Sequence, residues 1–189
     1  MNRRDALERV ALLLGGTVIG GAAFLQGCKS SGTQAEGFSL TADQIAFLDE
    51  VAETIIPTTN TPGAKAAKVG AFMNVMVTDC YVKADQQIFL EGLTAIDATS
   101  KKQFGKGFME ITADQKTEQL NALNKELKAY NEKKKEQEPN HFFAMMKQLT
   151  LLGYFSSEIG ATKALRYVAV PGKYEGCIPY NRGDRAWAT

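Results

Sequence analysis

The sequence predicts an all-α fold: an irregular helical domain of about five to six helices with an extended C-terminal tail. Two observations support this class. Apolar residues recur at helical spacing through most of the chain, and no strand-like alternation precedes residues 167–170. Hydrophobic residues make up 44% of the 189-residue chain, which is enough for one buried core. We therefore expect one domain over residues 40–189, with the extended tail beginning near residue 167.

Residues 1–27 have the pattern of an export signal and not of a fold element. Arg3 and Arg4 precede an apolar run diluted by glycines, which resembles a twin-arginine signal. Ala6 stands where such signals usually have phenylalanine. The general secretory route is therefore the alternative.

Residues 25–28, Leu-Gln-Gly-Cys, look like a lipobox at the end of this apolar run. They predict that Cys28 carries lipid and becomes the first mature residue, with residues 28–39 as a polar, flexible tether. An ordinary signal or anchor followed by a coincidental cysteine is the competing interpretation. The lipidated form predicts a protein anchored to a membrane on its periplasmic side.

Helical periodicity and capping signals divide the domain into segments. Thr41, with a glutamine three residues on, predicts a capping box at the start of a first helix, which we expect to end before Pro57. Further helices are predicted over residues 68–81 and 84–98. A fourth begins at Thr112, where the capping pattern recurs.

Residues 141–155 are apolar on nearly every face of a helix. Such a helix lies inside a larger structure or a membrane, and this one is interrupted by Lys147 and Gln148 and is too short to span a bilayer. We therefore predict that it is the buried central helix of the domain. The small residues and prolines that follow predict that the chain then leaves the core as the extended tail.

Charge is balanced along the whole chain, with 22 basic and 21 acidic residues. This balance does not favour nucleic acid or an anionic surface as a binding partner. Nucleic-acid-binding proteins are therefore excluded from the classes considered.

Few residues are suited to catalysis. His141 is the sole histidine, and a packing or capping role at the start of the central helix is favoured over catalysis. Glu158 follows the same helix and is a candidate general base. It can equally cap a short helix at residues 161–165 or pair with an arginine. The structural role is favoured because no second catalytic partner is nearby in sequence.

Cys80 and Cys177 are the thiols left after lipidation of Cys28. An exported compartment favours a disulfide between them, and two buried free thiols are the alternative. A metal site that adds His141 has weak support, because no pair of ligands has a short motif spacing. The chain also has no phosphate-loop, flavin or attached-haem motif, so we expect no catalytic, cofactor-binding or metal residues on it.

Two blocks of the sequence resemble a known family. They are IIPTTNTPGAKAAKVGAFMNVMVTDCY, residues 55–81, and LTLLGYFSSEIGATKALRYVAVPGKYEGCIPY, residues 149–180. Both resemble the small, third subunit of membrane-bound gluconate 2-dehydrogenases. The resemblance extends over about residues 40–180.

This resemblance implies an auxiliary, non-catalytic subunit. In the family, the small subunit accompanies a large FAD-dependent subunit of the glucose-methanol-choline type, often with a cytochrome c subunit, and assists its maturation and export. FAD and the catalytic residues are then expected in the partner, and the lipobox adds tethering of the complex to a membrane. The alternatives are a free-standing periplasmic lipoprotein that acts as a binding module, or an independent enzyme that uses Glu158.

The loop at residues 57–64 and the tail are predicted to bind the large subunit. The alternative for the loop is that it is only a connection between helices. The tail carries more apolar and aromatic surface than a free terminus normally shows, and tyrosine is favoured at interfaces. Folding of the tail back onto the helices is the competing explanation. The predicted interface residues are Pro57, Thr58, Thr59, Pro62, Gly63, Gly153, Tyr154, Glu158, Gly160, Tyr167, Val170, Pro171, Gly172, Tyr174, Gly176, Ile178, Pro179 and Tyr180.

Overall fold

A computed structural model of the protein describes residues 38–170, 172–173 and 175–188. The export signal with Arg3 and Arg4, the lipobox with Cys28, and two predicted interface residues, Pro171 and Tyr174, lie outside the described residues. The predictions made for these positions stay predictions.

Five α-helices and one short π-helix form the described part of the chain, which confirms the all-α fold. They are α1 (Ala42–Ile55), α2 (Val69–Cys80), α3 (Lys83–Phe104), α4 (Ala113–Lys133), α5 (Phe142–Ser156) and the π-helix Gly160–Ala164. The β pairing in the described residues is a single parallel bridge between Arg166 and Trp187.

Both predicted capping boxes are present. Thr41 accepts a hydrogen bond from the backbone of Gln44 and its own backbone N–H donates back to the Gln44 side chain, and Thr112 and Gln115 repeat this arrangement at α4. Reciprocal bonds of this kind satisfy backbone donors that a helix start leaves free. Helices α1 and α4 therefore begin with the same capping arrangement.

The C-terminal end that the sequence predicts for α3, residue 98, is wrong. The helix continues past residue 98 to Phe104 and stops at Gly105, which is left-handed with φ 73°. Residues 99–103 are polar, so apolar periodicity does not mark the continuation of the helix to Phe104. The positive charges of the lysines in the last turn interact favourably with the negative end of the helix dipole. A glycine at the C-cap is a common residue at which helices end.

The core lies where α5 packs against the other four helices. Fully buried aromatic and aliphatic side chains come from every α-helix except α4, which contributes leucines exposed by less than a tenth. Core residues with the largest buried side chains are Tyr154, Phe89, Phe108, Phe143, Leu48, Met73, Ile96 and Met146. Burial of such a side chain contributes roughly 1.5–3 kcal/mol, so this cluster dominates the stability of the domain.

The prediction that α5 is buried on nearly every face is wrong for one face. Leu151, Leu152 and Phe155 are 46%, 47% and 41% exposed. Residues three and four positions apart share a helix face, so these three form one apolar strip on the surface. In the described residues no helix is long and apolar enough to cross a membrane.

Candidate partner interface

The loop at residues 57–64 is organised around one carboxylate, that of Glu53 on α1. Thr58 donates to Glu53 Oε1 from its hydroxyl at 2.7 Å and from its backbone N–H at 2.8 Å. The backbone N–H of Lys65 donates to Glu53 Oε2 at 2.9 Å. A single side chain therefore holds both ends of the loop.

Hydrogen bonding keeps this carboxylate ionised. Burial by itself would raise the pKa of Glu53, but the hydrogen bonds from Thr58 and from the backbone of Lys65 outweigh burial and place the pKa below its ordinary value. The space beside the carboxylate is closed by Gly63, where an added Cβ would overlap the carboxylate atoms. Gly63 is thus required for close packing inside the loop.

The same loop is fastened to the central helix. The hydroxyl of Tyr154 donates to the carbonyl oxygen of Pro62 at 2.6 Å, and the Tyr154 side chain is 1% exposed. The two blocks of sequence that carry the family resemblance are therefore in direct contact. We interpret the hydrogen bond between Tyr154 and Pro62 as a packing contact that joins the two blocks.

Four predicted interface residues are buried and are not accessible to a partner in this structure. Gly63 lies against the Glu53 carboxylate, and Tyr154 donates to the carbonyl of Pro62. Gly153 lies against Phe72 of α2, with Phe72 Cδ1 2.6 Å from where a Cβ would be, and Gly160 lies against the backbone carbonyl of Tyr154. We therefore assign these four to packing and not to contact with another protein.

The remaining described members of the predicted interface are on the surface or only partly buried. Pro62 is half-buried. Exposed members are Pro57, Thr58, Thr59, Glu158, Tyr167, Val170, Gly172, Gly176, Ile178, Pro179 and Tyr180. To these the structure adds the apolar strip of α5, which the sequence interpretation treated as core. The i, i+1, i+4 spacing of Leu151, Leu152 and Phe155 was a visible signal for one face, but composition did not say which face of α5 was outside.

The structure gives His141 a capping role and places Glu158 on the surface. His141 accepts a hydrogen bond from the backbone N–H of Phe143 at 3.2 Å and stacks on Phe142, which confirms the capping role. Glu158 is exposed, and no side chain caps the π-helix that follows. The hydroxyl of Ser157 accepts a hydrogen bond from the backbone N–H of Gly160 at 3.0 Å. The capping role suggested for Glu158 is therefore wrong.

Cys80 and Cys177 are both free and exposed. The structure thus contains neither the disulfide nor the buried thiols that the sequence left open. In the part of the chain that the structure describes, no cluster of three or more His, Cys, Asp or Glu side chains is placed to hold a metal ion.

A small open cleft of about 180 Å³ lies between α1, α4 and α5. Its wall includes Thr54, Asn121 and Phe143, and Lys147 donates to Asn124 at one edge at 2.6 Å. Pockets for drug-sized ligands usually measure ~300–1,000 Å³, so this cleft is small for a substrate site.

Comparison with known protein families matches the chain to the family described as gluconate 2-dehydrogenase subunit 3, over residues 42–172. The chain belongs to this family. The matched range begins at the first residue of α1 and extends past the π-helix, so it includes the loop around Glu53 and all five α-helices. No curated protein and no solved structure gives a significant match.

Membership of the gluconate 2-dehydrogenase subunit 3 family indicates an auxiliary subunit of a dehydrogenase complex. Such a subunit works through contact with other subunits. The accessible surface is therefore the candidate functional site, above all the strip on α5 and the C-terminal segment that follows it.

Proposed function

We propose that this protein is the non-catalytic small subunit of a periplasmic, membrane-associated dehydrogenase for sugars or polyols. Its partner is a large FAD-dependent subunit of the glucose-methanol-choline type, accompanied in some complexes by a cytochrome c subunit. The small subunit assists maturation and export of the partner and tethers it to a membrane through lipid on Cys28. FAD is bound by the partner and not by this chain.

The observation that carries this proposal is the apolar strip of α5. Three large apolar side chains, Leu151, Leu152 and Phe155, are each more than two fifths exposed on one helix face. Val75 on α2, the helix that packs against α5 at Gly153, is 54% exposed. Large apolar side chains grouped on a surface, unlike single scattered ones, mark protein interaction sites.

Exposed apolar and aromatic side chains of the C-terminal segment also support the proposal. Tyr167, Val170 and Tyr180 are 57%, 81% and 73% exposed, so these described side chains are available to a partner. Tyrosine supplies large contact area at low cost in conformational entropy and is enriched at interfaces. The strip lies on α5 and the C-terminal segment follows this helix in the chain, and the proposal assigns both surfaces to one partner.

The proposal is tested by co-expressing a candidate large subunit with this protein and measuring exported, flavin-loaded dehydrogenase. The test variant is Leu151→Lys, which places a charge in the strip, and we expect recovered partner to fall at least about tenfold. The matched control is Met109→Lys in the loop before α4. Met109 is also 46% exposed, so the same change there leaves recovery unaltered if the strip is the interface.

A chain that ends at Arg166 tests the second surface and is expected to yield no exported holoenzyme. Two results would overturn the proposal. One is turnover of substrate by the purified small protein alone. The other is a partner that loads flavin and is exported equally well with either surface altered or with the small protein absent.

A further inference from the structure

The cleft between α1, α4 and α5 has an apolar wall. Phe143 of α5 and Leu120 of α4 line it with side chains that are 2% and 5% exposed, and Ile55 of α1 adds to this wall. The volume of about 180 Å³ is below that of pockets for drug-sized ligands. A ligand that fits the cleft and contacts this wall is therefore small and has a short hydrocarbon part.

Two threonines line the cleft, but their hydroxyl hydrogens are already used. Each hydroxyl donates to the carbonyl four residues earlier in its own helix, at 2.8 Å from Thr54 on α1 and at 2.9 Å from Thr117 on α4. A hydroxyl has a single donor, so neither threonine has one left for a ligand. Side-chain donors for a ligand must therefore come from the other polar residues of the lining, Asn121, Asn124 and Lys147.

The ammonium of Lys147 is held at the edge of the cleft by two uncharged groups. It donates to Asn124 Oδ1 at 2.6 Å, and its Nζ lies 6.0 Å from the centroid of the Phe143 ring. Lys147 is half-buried, and in the described part of the chain no carboxylate forms an ion pair with it. A cation that is partly removed from water is stabilised by a counter-charge, which a bound anion supplies here.

Two amide groups of α4 lie beside this ammonium. An ammonium can only donate, so the Asn124 atom that it contacts is the amide oxygen, and the Asn124 amide hydrogens remain as donors. Asn121 is exposed, lines the same cleft and lies three positions before Asn124, which places both on one face of α4. One positive charge and two amide donors are therefore grouped where an anion's oxygens can accept from them.

This lining suits a carboxylate better than a phosphate. Phosphate sites usually use arginine, several cations or a helix N-terminus, whereas the described lining has one lysine and no arginine. A carboxylate carries a single negative charge, and the carbon chain attached to it can be buried against the apolar wall.

We propose that the cleft binds a small, short-chain organic carboxylate. The carboxylate group accepts hydrogen bonds from Lys147, Asn121 and Asn124, and the hydrocarbon chain lies against Phe143 and Leu120. A ligand held by residues of α1, α4 and α5 also stabilises the packing of these helices, because it binds only the folded chain. The site goes beyond the proposed function and needs no partner subunit.

The site is tested by nuclear magnetic resonance titration of the full-length protein alone. Three probes are compared at equal ionic strength: butyrate, its uncharged amide butyramide, and inorganic phosphate. Butyrate is expected to shift the backbone amide signals of residues 117–124 and of Lys147 saturably. Butyramide lacks the charge and phosphate lacks the carbon chain, so each is expected to bind at least about tenfold more weakly.

Three variants test the residues assigned to the site. Lys147→Met keeps a long unbranched side chain and removes the charge, and it should weaken butyrate binding at least about tenfold. Asn121→Leu, at an exposed position, removes one donor and should weaken binding about threefold. The matched control is Lys102→Met, which removes the charge of an exposed lysine on α3 outside the cleft and should bind butyrate as the wild type does.

Thermal unfolding without ligand shows whether each variant is folded. If Lys147→Met does not fold, the comparison of Asn121→Leu with Lys102→Met decides. The proposal is overturned if butyrate causes no saturable shift in the wild type, if butyramide or phosphate binds as tightly as butyrate, or if the substitutions at Lys147 and Asn121 leave binding unchanged. No experiment here includes a partner subunit, so such a failure leaves the proposed function standing.

Discussion

Among the described residues, two tyrosine hydroxyls donate to proline carbonyls, and their surroundings differ. Tyr154 donates to Pro62 at 2.6 Å from a side chain that is 1% exposed, and Tyr130 donates to Pro139 at 2.8 Å at an exposed site. Water can replace a lost partner at the exposed site but has little access to the buried one. The same chemical change should therefore have different costs at the two positions.

We predict that Tyr154→Phe lowers the free energy of unfolding by about 1–2 kcal/mol, and that Tyr130→Phe lowers it by less than ~0.5 kcal/mol. Urea denaturation followed by circular dichroism measures both. Equal losses for the two variants would contradict the view that the loop at residues 57–64 is fastened to α5 through Tyr154.

At the scale of elements, the two buried glycines around the end of α5 meet different neighbours. A Cβ at Gly160 would overlap the backbone carbonyl oxygen of Tyr154, whereas a Cβ at Gly153 would meet the Phe72 ring, whose Cδ1 lies at 2.6 Å. A half-buried ring can rotate or shift, but the last turn of α5 cannot move without losing its own hydrogen bonds.

Gly160→Ala is therefore predicted to be the more damaging of the two, with a loss of about 2–4 kcal/mol against about 1–2 kcal/mol for Gly153→Ala. Thermal unfolding of both variants gives the ranking. Should Gly153→Ala prove the more destabilising, the π-helix would not be held against α5 as the structure has it.

The sequence was informative about elements wherever the signal is local. Capping boxes at Thr41 and Thr112 marked the starts of α1 and α4, and Pro57 marked the end of α1. The extension of α3 to Phe104 was missed because residues 99–103 are polar, although Gly105 was an available C-cap signal.

Non-local contacts could not be predicted from local sequence patterns. Burial of Gly153 and Tyr154 depends on where α2 and the loop at residues 57–64 pack, and no local pattern specifies that. Exposure of Leu151 and Leu152 has the same origin, since both a core face and an interface face are apolar. The β bridge between Arg166 and Trp187 joins residues that are far apart in sequence and have no motif in common.

Across the whole molecule, one carboxylate connects three regions. Glu50 of α1 accepts from Lys116 of α4 at 2.7 Å and from Lys65, next to the loop at residues 57–64, at 2.8 Å. The Lys116 side chain is 9% exposed and its Nζ lies 5.7 Å from the ring centroid of Phe108. A lysine so enclosed requires a counter-charge, which Glu50 supplies.

These contacts make stability depend on pH. The hydrogen bond from Lys116, followed by that from Lys65, holds the pKa of Glu50 below its ordinary value of 4.5. A carboxylate whose pKa is depressed by folding contributes stability that is fully present above its unfolded pKa and is lost as pH falls through the folded pKa. The contribution of Glu50 should therefore be constant at neutral pH and decline below about pH 4.5.

We predict that Glu50→Gln lowers the free energy of unfolding at pH 7 by about 2–3 kcal/mol, mainly because Lys116 is left buried without its counter-charge. The double variant with Glu50→Gln and Lys116→Met removes both charges and should recover most of that loss. Denaturation curves collected from pH 7 to pH 3 for the wild type and both variants measure the effect. The difference between the wild type and Glu50→Gln should narrow as the pH falls, because the wild-type carboxylate becomes protonated. A difference that stays constant down to pH 3, or a double variant less stable than Glu50→Gln, would show that Lys116 is held by packing and not by the charge of Glu50.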